Sequence, residues 1–175
     1  MRFNLVDRIV DFEPGHGIRT VKNLTLGEEY LADHFPSFPV MPGVLMLQML
    51  VETGAWYLRI RDDFRYSVIL LREVKNVKYG TFMEPGRRMT LNVEPVEEAN
   101  GLATFKGKGE VQGQLTVSAK FTLIQYNLRD RNPALAPVDD RIVAHLRTHY
   151  LTLQAKACPR AVAAPSANGP LDGRK

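Results

Sequence analysis

The chain has 175 residues, 45% of them hydrophobic and 24% charged, enough to build a full core in one domain. Its formal net charge is only +4, with Arg160, Arg174 and Lys175 near the C-terminus contributing much of it, and no basic and aromatic residues interleave as in a stacking platform, which argues against nucleic acid as a partner. No apolar run approaches the roughly 20 residues of a membrane span, the opening MRFNLVDRIV lacks the order of a secretory leader, and the single cysteine, Cys158, excludes an internal disulfide, so the expected location is the cytoplasm.

In chain order, Arg2 to Phe12 alternates in part and predicts a strand, followed by a turn at Glu13 to Gly17 and a second strand from Ile18 to Leu26 with Val21 and Leu24 inward. Residues 28–38 are irregular and rich in proline toward the end. Gly43 to about Arg59 predicts one central helix, apolar nearly all round and therefore buried. At 1.5 Å per residue it spans about 25 Å. Gly54 inside it costs helix propensity, a sign of close packing.

Four strands follow, at Ser67 to Tyr79, Arg88 to Pro95, Ala103 to Val111 and Gln114 to Tyr126, with hairpin turns at Asn100-Gly101 and Gln112-Gly113. The order predicts an α+β domain over 1–128, a long antiparallel sheet around one buried helix. Residues 129–157 predict a linker and a C-terminal helix, with Ile142, Leu146, Tyr150 and Leu153 at helical spacing and Asp139 and Asp140 near its positive end. Residues 158–175, rich in Ala, Pro, Gly and Ser, predict a disordered tail.

The chemistry concentrates in His34-Phe35-Pro36-Ser37-Phe38-Pro39-Val40-Met41-Pro42-Gly43-Val44-Leu45. Pro36, Pro39 and Pro42 stiffen the backbone and each removes an N–H. Pro42 suits the first turn of a helix, and Gly43 lets another group approach the chain closely. The first N–H groups of a helix have no internal partner and carry partial positive charge, so a carbonyl docked at Gly43 is polarised. His34, with an ordinary pKa near 6.5, suits proton abstraction beside it. In isolation a histidine next to phenylalanine is more often a packed or turn residue; the proline-glycine setting favours catalysis.

This segment closely resembles the active-site motif of the 3-hydroxyacyl-(acyl carrier protein) dehydratases. The likeness runs from about Asn4 to Leu128, beginning with Leu5-Val6-Asp7-Arg8-Ile9-Val10 and ending with Phe82-Met83-Glu84-Pro85-Gly86 and Phe105-Lys106-Gly107. It implies a hot-dog fold, a homodimer or higher homo-oligomer with acyl tunnels at the subunit interface, His34 as base and the Gly43 N–H polarising the thioester. It also implies acyl contacts from Phe35, Pro36, Val40, Met41, Pro42 and Val44, and as partner an acyl carrier protein or an acyl-coenzyme A. No cofactor or metal is implied.

Three positions depart from the pattern. Where the family has Glu or Asp, supplied across the dimer to the departing hydroxyl, this chain has Gln48, and Glu52 stands four residues on, where many members have Gln. Residues i and i+4 share a helix face, so the pair looks exchanged, a displacement of about 5.4 Å. An amide binds a hydroxyl but cannot replace an acid, and losing one costs about 10²–10⁴ in rate. Either Glu52 or a water replaces the acid, with Gln48 holding the hydroxyl, or Glu52 is a structural hydrogen-bonding group. Ser37 replaces the usual glycine, a strain if that position needs a positive φ.

Three functions follow: a dehydratase-like lyase of fatty-acid or related lipid synthesis, a catalytically silent acyl-binding or partner subunit, and a hot-dog thioesterase. The cations from Arg59 through Arg65, Arg72, Lys75 and Lys78 to Arg88 read as a solvated surface or as a dock for an acidic carrier protein. His145 and His149 have zinc-helix spacing, but Leu146 stands where H-E-x-x-H has its glutamate, so a solvent-facing pair is expected.

Overall fold

The computed structural model describes residues 4–35 and 37–154. Six antiparallel strands form one sheet in the order β1-β2-β4-β5-β6-β3: β1 (Arg8–Glu13), β2 (Gly17–Asn23), β3 (Val68–Tyr79), β4 (Arg88–Ala99), β5 (Leu102–Val111) and β6 (Gln114–Tyr126). The helix α1 (Gly43–Arg61) lies across the concave face and α2 (Ala136–Gln154) packs at the β1 side. This is the hot-dog arrangement expected from the order of elements. The hairpins fall where glycine permits them, at Asn100-Gly101 and Gln112-Gly113, all four residues having positive φ.

The helix and sheet meet without a gap. On β4, β5 and β6 the inward alternation buries Leu91, Val93, Phe105, Phe121 and Leu123 against Met49, Leu50 and Leu58 of α1. Glycines set the distance. A Cβ on Gly54 would stand 2.9 Å from the Phe121 ring, and one on Gly107 would stand 3.1 Å from Leu50. A buried hydroxyl pair, Thr53 with Thr20 at 2.8 Å, ties α1 to β2, and the Thr53 hydroxyl also donates to the Met49 carbonyl at 2.7 Å.

Four expectations change. The N-terminal segment is not a strand before Arg8: Leu5 and Val6 are consecutive buried residues, which a pleated strand cannot put on one face, and they lie over α1 instead. The stretch after β6 is not a plain linker. It makes short 3-10 turns at Leu128–Asp130 and Pro133–Leu135, and α2 starts at Ala136 because Pro137 fits a first helical turn. His149 is not solvent-facing; it packs on Trp56 with ring centroids 5.5 Å apart. Nor does Asp139 merely face the positive end of α2. It is fully buried, accepting hydrogen bonds from the Ser67 hydroxyl, the Leu128 and Arg129 N–H groups and the Arg129 guanidinium. The expected tail, 158–175, lies outside the described residues.

Candidate active site

The His34 loop is held at both ends. At its base, the Lys22 ammonium is almost fully buried and reaches Glu28 at 2.7 Å and Asp7 at 3.3 Å, while Asp7 also accepts from the Asn23 N–H at 2.6 Å. Burial alone pulls the Lys22 pKa down, but the two carboxylates outweigh it and raise the net value, so this charge stays on. Its far end is fixed by the Met41 N–H donating to the Met83 carbonyl at 2.9 Å, with Val40, Met41 and Met83 buried.

Between these anchors the His34 N–H donates to the Tyr30 carbonyl at 3.2 Å and its half-buried imidazole lies 4.4 Å from the Phe35 ring, centroid to centroid. The turn closes through the Phe38 N–H to the Phe35 carbonyl at 2.8 Å. Ser37 does not take the positive φ that would have strained it; Phe35 does, at 51°. The tight Phe35–Phe38 turn places the strain two residues earlier, beside the imidazole. Pro36 lies outside the described residues.

Pro42 begins the helix at φ −56° and ψ 133° with no side-chain cap. Its carbonyl accepts from Leu45 and Met46 at 3.0 and 3.2 Å. Among the described residues nothing accepts from the Gly43 N–H, which leaves the donor end of α1 open. Over that glycine lies the ring of Tyr79 from the end of β3, whose Cε1 is 3.0 Å from where a Cβ would sit. Tyr79, the Lys22 triad and the Met83 carbonyl were not legible as site residues; Asp7 and Met83 lie in segments that carry the family likeness, but nothing there marks a contact with the loop. Phe35, Phe38, Val44, Tyr79 and Phe82 form an exposed apolar rim, with Phe38 and Phe82 edge to face at 5.7 Å. The start of α1 and the loop that leads into it thus present an imidazole, an open N–H donor and apolar surface, groups of the kind that proton abstraction next to a polarised carbonyl uses.

Gln48 is exposed on α1. Glu52 is half-buried, and its carboxylate accepts from the Leu5 N–H at 3.0 Å. Burial raises its pKa, against the N–H groups of Leu5 and Val6, the nearby Trp56 indole and the charge of Arg59, which together recover only part of the cost. The indole N–H is close enough to favour the ionised form but lacks hydrogen-bond geometry. Of the cation series, Arg59 is half-buried with its guanidinium 5.2 Å from the Trp56 ring centroid and Arg61 is paired with Asp62 and Glu98, while Arg65, Arg72, Lys75, Lys78, Arg87 and Arg88 remain on the surface. No cluster able to hold a metal exists among the described residues. None of the described helices is long and apolar enough to cross a membrane.

This is a hot-dog protein with a histidine loop at the open end of its central helix. The FabA-like domain model matches residues 1–120, and the chain belongs to that family. It is 35% identical over 135 residues to the 3-hydroxyacyl-[acyl-carrier-protein] dehydratase FabZ of Janthinobacterium sp. (strain Marseille), covering 74% of this chain and 85% of that protein. It is 38% identical over 122 residues to the FabZ of Haemophilus ducreyi, covering 67% of this chain and 77% of that protein. Among solved structures, the dehydratase heterocomplex ApeI:P from Xenorhabdus doucetiae superposes with a TM-score of 0.61 at 12% identity over 75% of this chain and 89% of that one, a likeness of fold.

Proposed function

We propose that the chain is a cytoplasmic lyase that dehydrates a 3-hydroxyacyl thioester carried by acyl carrier protein. The carrying observation is the uncapped start of α1, with the Gly43 N–H open, beside a histidine loop clamped at both ends. The thioester oxygen docks on that N–H, and His34 takes a proton from the carbon next to the carbonyl. The electron pair left behind forms the new double bond as the C–O bond at carbon three breaks. Gln48 holds the hydroxyl without protonating it. Because Glu52 is engaged by Leu5, the proton that His34 has gained is the one returned to the hydroxyl, which leaves as water. The balance closes with no other reactant. The family's curated relatives being dehydratases favours this over a thioesterase.

The sheet side of α1 is sealed by Gly54 and Gly107, so the acyl chain runs on the opposite side, where a second subunit encloses it. The edge strand β3, with exposed Leu70 and Leu71, is unpaired along its outer side among the described residues and suits antiparallel pairing with another copy. The carrier protein, being acidic, docks on Arg72, Lys78 and Arg88. A second reading rests on Gln48: the partner is a related chain that brings a carboxylic acid to this position. Turnover of a 3-hydroxyacyl carrier-protein thioester, followed by mass spectrometry with the native mass measured alongside, tests both. Turnover by the purified homodimer supports the first reading; turnover only after a second chain is added supports the other.

A further inference from the structure

Residues Val44, Gln48, Glu52 and Ala55 share one face of α1, the face turned away from the sheet. Its exposure ends abruptly. Val44 is 70% exposed and Gln48 is exposed, but Glu52 is half-buried and Ala55 and Trp56 are buried. Two parts of this chain cover Glu52 and Trp56. The segment at Leu5 and Val6 crosses the helix, pinned by the Glu52 carboxylate to the Leu5 N–H at 3.0 Å. Behind it stands α2, with His149 and Tyr150 on the Trp56 indole at 5.5 and 6.2 Å between ring centroids. α2 lies beyond the residues the family model matches.

We infer that this cover is a wall that limits the acyl chain to about eight carbons, and that Glu52 is a specificity-determining residue through its hold on Leu5. The inference rests on the dehydratase reading above. From Val44 to the residue before the covered Glu52 the helix rises about 10 Å. An extended chain advances about 1.2 Å per bond, judged from the reach of an extended backbone, so the open stretch takes roughly eight. The tight helix–sheet contact at Gly54 offers no second route inward.

The test uses the full chain with 3-hydroxyacyl carrier-protein thioesters of four, eight, twelve and sixteen carbons, reading affinity by competition and turnover separately. Each methylene that finds apolar surface tightens binding about fourfold, so affinity should climb from four to eight carbons. It should then stop climbing, with turnover at twelve at least about tenfold below that at eight. Glu52→Ala should move the break to longer chains. Glu52→Gln should keep it, because its amide oxygen still accepts from Leu5. Affinity and turnover that go on rising through sixteen carbons would overturn the wall while leaving the dehydratase reading intact. A break unmoved in folded Glu52→Ala would overturn the role of Glu52. Absence of binding and turnover at every length would overturn the dehydratase reading and this inference with it. If Glu52→Ala fails to fold, the wild-type profile still decides on the wall.

Discussion

Gly43 and Tyr79 meet where the helix begins. The Tyr79 Cε1, Cζ and Cδ1 atoms stand 3.0, 3.2 and 3.3 Å from the position of a Cβ on residue 43. Tyr79 is 52% exposed, so its ring can yield. Gly43→Ala should therefore leave the fold within about 1 kcal/mol of wild type, since alanine is also the better helix former. It should lower turnover by at least about tenfold by crowding the approach to the N–H donor. Thermal melting beside a rate measurement checks this; equal loss of both would mean that the glycine serves packing only.

Gly54 offers the contrast. Its missing Cβ would stand 2.9 Å from Cε2 of Phe121 and 3.3 Å from Leu123, and Phe121 is itself buried and stacked on Phe105 at 5.6 Å. No soft neighbour exists, so Gly54→Ala should destabilise the protein by about 1–3 kcal/mol despite the gain in helix propensity. Denaturant unfolding would show it, and a neutral result would contradict the tight helix–sheet contact.

The periodic elements were legible because burial follows period. The apolar run of α1 and the alternation of Leu115, Val117, Ala119, Phe121 and Leu123 are local signals, although the structure leaves Leu115 exposed at the sheet end. What covers α1 was not legible. That Gln48 and Glu52 share a face follows from spacing, but that Leu5 reaches Glu52 depends on a crossing of 47 residues in sequence. The same holds for Tyr79 over Gly43 and for His149, whose partner Trp56 lies on another helix. Ser37 was singled out by a missing glycine, yet the closure of the turn by Phe38 and Phe35 decides where the positive φ falls.

Asp139 should prove to be the clasp of α2. Its hydrogen bonds from Ser67, Leu128 and Arg129, acting against its burial, hold the carboxyl well below the usual carboxylate range. A depressed acid stabilises the fold above its unfolded pKa, about 3.9, and that contribution is lost as pH falls from there through the native value. Asp139→Asn should lower the melting temperature by roughly 5 °C or more at neutral pH, and the gap between variant and wild type should shrink below pH 4. A gap unchanged by pH would show that charge is not involved.

The chain's one tryptophan, Trp56, reports on His149. Burial first, then the charges of His145 and Arg59, lower the His149 pKa. The fold thus prefers the neutral imidazole. The stability it contributes is present above about pH 6.5, the unfolded value, and is lost as pH falls from there through the lower native value. Trp56 emission should shift with a midpoint below 6.5, and His149→Phe should abolish that transition. A transition surviving in the variant would assign it to another group.

The most direct measurement is dehydration of an eight-carbon 3-hydroxyacyl carrier-protein thioester by wild type, His34→Ala and Gln48→Glu. The account predicts measurable wild-type turnover, a loss of at least about 10² in folded His34→Ala, and a gain in Gln48→Glu as an acid returns to the leaving hydroxyl. Wild-type turnover undiminished in His34→Ala would contradict it.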